Sequence, residues 1–138
     1  MNYREFKEKT QKEFNTLPLI FAFSKKQFEE GKAKLGVKDD QELYFIGGGG
    51  YIQKTDVHLL DEMIDRHNKE FEQLMQDDEF AYSAFYYELG NHEFCITLDP
   101  EDTLDALCLS VEEVKNDSRL MKLFLKAKRD YLENCIYK

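Results

Sequence analysis

Tyr3, Phe6, Thr10 and Phe14 recur at helical spacing, and charged residues fill the positions between them. The pattern predicts a surface helix over Tyr3–Phe14 that lies on the domain by one aromatic edge. Pro18 ends it. Residues 19–23 are then apolar without a break, a run short and aromatic enough for a buried strand. Ser24, with Gln27 three positions on, forms a capping box for the next helix, whose face is Phe28, Lys32 and Leu35 and whose stop is Gly36. Asp39-Asp40 marks a turn, and residues 43–46 form a second strand. Gly47, Gly48, Gly49 and Gly50 follow, four of the seven glycines in the chain. Tyr51-Ile52-Gln53 then returns as a third, short strand.

Thr55 or Asp56 caps the most regular element. Val57, Leu60, Ile64, His67, Phe71 and Leu74 advance in steps of three and four, a seam expected to pack down the middle of a helical layer. Asp77 or Asp78 caps the following helix, with Glu79 in its first turn. That helix, residues 80–89, is apolar on nearly every side, which places it at the centre of a fold or under a partner. Gly90-Asn91 stops it. Residues 94–98 read as a strand or as the tail of the same helix.

Asp99-Pro100 opens a helix with Leu104, Leu107 and Cys108 as its inner edge. Ser110 and Glu113 form a second capping box for a single turn. Asn116 or Asp117 caps the last helix, whose stripe is Leu120, Phe124, Ala127, Tyr131 and Cys135. The sum is six or seven helices with a sheet of two to four short strands. The expected class is α+β, a helix-dominated single domain over residues 1–138.

Composition adds that the core must be built without tryptophan, from eleven Phe and eight Tyr together with the aliphatics. No apolar run is long enough to cross a membrane, and the charged start does not read as a signal peptide. Cys95, Cys108 and Cys135 are odd in number and far apart. They are expected to be buried small apolar groups in a reducing cytosol rather than disulfide partners.

Charge changes the picture more. Residues 70–114 hold thirteen acids and no Lys or Arg, whereas the remainder carries all nineteen basic residues against fifteen acids. The middle stretch therefore carries an excess of thirteen negative charges and the flanks are mildly basic, which gives the net charge of -9. Phe71, Phe80, Tyr82, Phe85, Tyr86, Tyr87 and Phe94 are interleaved with those acids. Such a surface suits a basic protein partner and repels DNA and anionic membranes, so neither direct nucleic-acid binding nor membrane binding is expected. The residues expected to carry the contact are Asp77, Asp78, Glu79, Tyr82, Tyr86, Tyr87 and Glu88. Carboxylates would stand in for phosphates and tyrosines would anchor.

Two alternatives compete. Gly47, Gly48, Gly49 and Gly50 with Lys54 could cradle a nucleotide or phosphate ahead of a helix start. Against that, Gln53 stands where a phosphate loop needs glycine, Asp56 would repel an anion, and glycine runs commonly serve as hairpin tips. The other alternative is an oligomer subunit whose exposed aromatics form its self-interface. No catalytic residue, cofactor or metal is expected. Asn91-His92-Glu93-Phe94-Cys95 lacks the second histidine of a zinc-protease motif, since Ile96 occupies that place. His58, Asp61, Glu62 and Asp65 read as a solvated helix face.

Four segments together carry a resemblance: Leu17-Pro18-Leu19-Ile20-Phe21-Ala22-Phe23-Ser24, the glycine run through Tyr51 to Lys54-Thr55-Asp56, Asp78-Glu79-Phe80-Ala81-Tyr82, and Tyr87-Glu88-Leu89-Gly90-Asn91-His92-Glu93. The chain resembles, over nearly its whole length, a group of small acidic proteins of unknown function from gut bacteria, their phages and other mobile elements. The resemblance implies a bacterial or phage protein of the cytosol and assigns no functional residue. Small acidic proteins of that setting often antagonise host defence by occupying nucleic-acid sites, which is analogy of setting and charge.

Overall fold

Helix starts are set locally, by side chains that accept from otherwise free amides. In the computed structural model, which describes residues 1–135, Ser24 Oγ accepts from Gln27 N at 3.2 Å. The Gln27 amide reaches back to Phe23 N at 2.7 Å. Asp77 accepts from Phe80 N at 3.2 Å, Ser110 from Glu113 N at 3.1 Å and Asp117 from Leu120 N at 3.0 Å. The helices that result are α1 Tyr3–Phe14, α2 Lys25–Leu35, α3 Val57–Leu74, α4 Asp78–Asn91, α5 Phe94–Thr97, α6 Glu101–Ala106, α7 Val111–Lys115 and α8 Ser118–Glu133. The strands are β1 Leu19–Phe21, β2 Leu43–Gly47 and β3 Gly50–Gln53. The class is α+β and helix-dominated, with one small antiparallel sheet. The chain divides into two compact units, Lys9–Lys69 and the remainder from both ends.

In the unit Lys9–Lys69 the sheet order is β1-β3-β2, with both pairings antiparallel. Gly48 and Gly49 turn the β2-β3 hairpin at φ 58° and 79°, the left-handed pair that a two-residue hairpin loop of type I′ requires. Phe45 pairs with Tyr51 and Gly47 with Gly50, so Ile46 is the extra residue of a bulge. One sheet face, with Ile20 and Leu43, packs with Phe28, Leu35 and Val37. The other, with Ile52, packs with Leu60 and Met63. Lys32 lies in the same layer as Phe28, with its ammonium paired to Asp40.

Two expectations are corrected here. Residues 19–23 are not a buried run: β1 is an edge strand, Ile20 alone is buried, and Phe23 is 77% exposed. In α3 the interior position is Met63, whereas Ile64 is exposed, and only Leu60 and Met63 are buried. Steps of three and four from Leu60 both satisfy a helical period, so the tertiary contact chooses.

The other unit is built on α4. Phe80, Ala81, Ala84, Phe85 and Leu89 are all within 1% of complete burial, as an all-round apolar helix demands. α4 packs on α8, where Phe85 meets Phe124 edge to face at 5.4 Å. Tyr3, Phe6 and Phe71 close over Phe80 with ring separations from 5.9 to 6.2 Å. Burying each such ring stabilises by about 1.5–3 kcal/mol.

Residues 94–98 are not a strand. Glu93, at φ 52°, breaks from α4, and Phe94–Thr97 winds one helical turn whose amides bond locally, Thr97 N to Glu93 O and Leu98 N to Phe94 O. A strand needs a neighbour to take those groups. α6 ends in a Schellman motif, with Leu109 N on Leu104 O and Cys108 N on Asp105 O, both at 2.9 Å. Cys108 takes the left-handed position at φ 59° and is exposed, not an inner-edge residue. Cys95 and Cys135 are half-buried. Among the described residues no helix is long and apolar enough to cross a membrane.

Candidate partner-binding surface

The acids at the start of α4 are exposed, and two of the three are engaged within the unit. Asp77 is the N-cap. Asp78 Oδ1 lies 3.3 Å from Arg119 Nε, and Arg119 also donates to Met75 O. Asp78, Glu79 and Tyr82 share a groove of about 710 Å³ with Lys122, Lys126 and Arg129 of α8. The amines of the last helix thus stand across from the acids expected to attract a basic partner. The field around Asp78 and Glu79 is mixed rather than negative.

Tyr82, Tyr86 and Tyr87 are brought together. With Tyr131, Arg4 and Asn134 they line a groove of about 460 Å³. The Tyr82 and Tyr86 rings stand 6.1 Å apart, and Tyr86 and Tyr131 stand 6.0 Å apart. Tyr82 Oη donates to Asp130 Oδ2 at 2.6 Å and its ring sits 4.9 Å under the Lys126 ammonium. Burial first, and then the Asp130 carboxylate, push its hydroxyl up to about 12. All three are half-buried, and Tyr82 and Tyr86 are hydrogen-bonded into the unit, which limits what they can offer a large partner.

Glu88 is interior, at 1% exposure, so it cannot serve as a docking contact. Its Oε1 accepts from Tyr3 Oη at 2.7 Å and lies 3.3 Å from Lys7 Nζ. Its Oε2 accepts from Asn91 Nδ2 at 3.1 Å and lies 3.2 Å from His92 Nε2. Thr103 Oγ1 donates to its backbone oxygen at 3.3 Å. Burial pushes the carboxyl up. Tyr3, Asn91 and Lys7 together outweigh that and hold it below its ordinary value. Tyr3 is raised, by burial and then by Glu88. Lys7 also lies 5.6 and 5.3 Å from the ring centroids of Tyr3 and Tyr87. Both carboxylate oxygens of Glu88 are thus satisfied, although the buried Nε2 of His92 makes no hydrogen bond, and the set ties the start of α1 to the end of α4. A carboxylate between Phe85 and Leu89 on an apolar helix was the available signal for it.

A longer run of acids without an ion pair lies further along. Glu93, Asp99, Glu101, Asp102, Asp105, Glu112 and Glu113 are all exposed, and none forms an ion pair among the described residues. Ile96 and Leu98, in the same stretch, are 63% and 65% exposed. Glu101, Asp105 and Glu112 flank a cleft of about 320 Å³ floored by Leu104, Leu109 and Val111. The sequence analysis places the expected contact at the start of α4, where Arg119 of α8 pairs with Asp78; no such ion pair forms along α6 or α7 among the described residues.

The glycine run forms the hairpin tip and the end of β3. Lys54 follows the far end of β3, about 13 Å of extended chain from the tip, so Gly48, Gly49 and Lys54 do not meet at one place. His58 Nδ1 lies 3.0 Å from Thr55 O. Among the described residues no group of three or more His, Cys, Asp or Glu is placed to hold a metal ion.

No curated protein and no solved structure matches this chain. The model of a family of unknown function, DUF7659, matches residues 2–130, so the chain belongs to that family.

Proposed function

We propose that this protein is a non-catalytic binding module that docks on a basic protein through the acidic face of α5, α6 and α7, with Ile96 and Leu98 as apolar anchors. One observation carries the reading: seven exposed carboxylates in residues 93–113 form no ion pair among the described residues, and two large aliphatics of the same stretch of sequence are exposed. A field of one sign steers an oppositely charged surface and suppresses wrong partners. Desolvated apolar side chains supply the central contact that slows dissociation. Carboxylates spaced along short helices can take the place of phosphates. The partner we have in mind is therefore one that otherwise holds nucleic acid. The resemblance to proteins of gut bacteria, their phages and mobile elements makes a host nucleic-acid-binding protein, including a defence protein, the target class.

The test is capture from bacterial lysate at low and high salt. It compares the native chain with an Asp102→Lys/Asp105→Lys/Glu112→Lys variant, an Ile96→Ser/Leu98→Ser variant and a control reversal at Asp61 and Glu62. The expected result is a basic protein retained by the native chain and the control. Both other variants lose it, and heparin or high salt releases it. Retention that ignores salt, or that survives both surface variants, would overturn the reading.

A further inference from the structure

We infer that β2 pairs with β2 of a second copy of this chain, joining two three-stranded sheets into one of six strands about a two-fold axis. The inference concerns the unit Lys9–Lys69 and stands apart from the acidic face, which belongs to the other unit.

The starting point is an edge. In the order β1-β3-β2, β2 has a neighbour on one side only among the described residues. About half of its backbone N–H and C=O groups therefore point away from β3, an open template for another strand. Proteins usually blunt such an edge with charge, proline or brevity. β1 is blunted: it is three residues long and Pro18 precedes it. β2 is five residues, Leu-Tyr-Phe-Ile-Gly, with no charge and no proline, and the bulge at Ile46 is its one irregularity. Tyr44 and Phe45 are 53% and 56% exposed. They stand on opposite faces, Tyr44 registered with Ile52 and Phe45 with Tyr51. A strand added at this edge covers both, giving each face a cross-strand partner.

Charge identifies the occupant. Residues 9–69 contain ten Lys or Arg and ten Asp or Glu, so this unit is neutral and the whole net charge of -9 falls on the other. The unit that carries β2 therefore brings no net charge of its own to the pairing. Charge also gathers at one end of the strand: Lys38, Asp39, Asp40 and Glu42 precede it, with Asp40 paired to Lys32, and the uncharged glycine tip follows it. A two-fold antiparallel pairing sets the acidic end of one copy beside the glycine tip of the other. A parallel pairing would stack acid on acid. The antiparallel two-fold orientation is thus the one in which this edge meets itself without stacking identical charges, as a closed dimer requires.

The experiment is light scattering of the full chain over a concentration series, with amide hydrogen exchange read at both ends of it. The native chain is expected to be a dimer that dissociates on dilution and is insensitive to added salt. Amides of residues 43–47 should lose protection together with it. Tyr44→Lys and Phe45→Lys should each shift the chain to monomer with unchanged far-ultraviolet circular dichroism, whereas Phe23→Lys, beyond β1, should leave the dimer intact. A native chain that stays monomeric, with β2 amides equally open at every concentration, overturns the proposal and leaves the edge to a strand of another protein. So does a dimer that persists in both β2 variants.

Discussion

Phe85, Glu88 and Leu89 fall on the buried side of α4, and the carboxylate alone among them needs polar partners. It obtains them from positions 3, 7, 91 and 92, and this makes Glu88 sensitive to pH. Its folded value is depressed, so its contribution is complete above the ordinary value of about 4.5 and is lost as pH falls below it. Glu13 acts in the same direction in the other unit. Arg66, and then His67, pull its carboxyl to about 2, so its share fades between about 4.5 and 2. Stability measured by urea unfolding should therefore fall on acidification, and Glu88→Gln should make that fall shallower. Tyr3→Phe leaves a buried carboxylate oxygen one donor short and should cost about 1–3 kcal/mol at neutral pH. An unchanged midpoint in Tyr3→Phe would show that the network is not a stabilising lock.

Among the elements, the turns carry the sharper expectations. Gly49 sits at φ 79°, and a Cβ built on it would stand 2.5 Å from the Phe23 ring. Gly49→Ala should lower stability by about 1–2 kcal/mol, from the left-handed strain alone. Cys108 occupies a left-handed position usually given to glycine, and it is exposed, so little packing is lost by replacing it. Cys108→Gly should raise stability by up to about 1 kcal/mol, and Cys108→Val should lower it. Thermal unfolding of the pair reads the difference. Ser110→Ala and Asp117→Ala each remove a cap and should cost about 1 kcal/mol. These elements were legible in the sequence because a cap or a C′ residue acts over three or four positions. Residues 94–98 misled for the complementary reason. Their apolar pattern fits a strand, but no strand lies alongside to accept their backbone, and a helical turn satisfies it from within.

For the molecule as a whole, charge is divided by unit: a neutral one with a bare apolar edge and one that holds the entire acidic excess. The two proposals separate accordingly. Binding through α5, α6 and α7 should weaken steeply as salt rises, because screening acts within about 10 Å at 0.1 M. Pairing through β2 should not. Local spacing and counting were enough for the starts of α2, α4, α7 and α8, the hairpin at the glycine run, the apolar character of α4 and the location of the acids. Tertiary structure decided which acids remain unanswered. Arg119 lies 41 positions from Asp78, and no local rule pairs them. Tertiary structure also turned Glu88 inward, chose Met63 over Ile64 and left Ile96, Leu98, Tyr44 and Phe45 in solvent. Burial and pairing depend on what the rest of the chain brings to a position. That sum of distant contacts is the part a one-dimensional pattern does not contain.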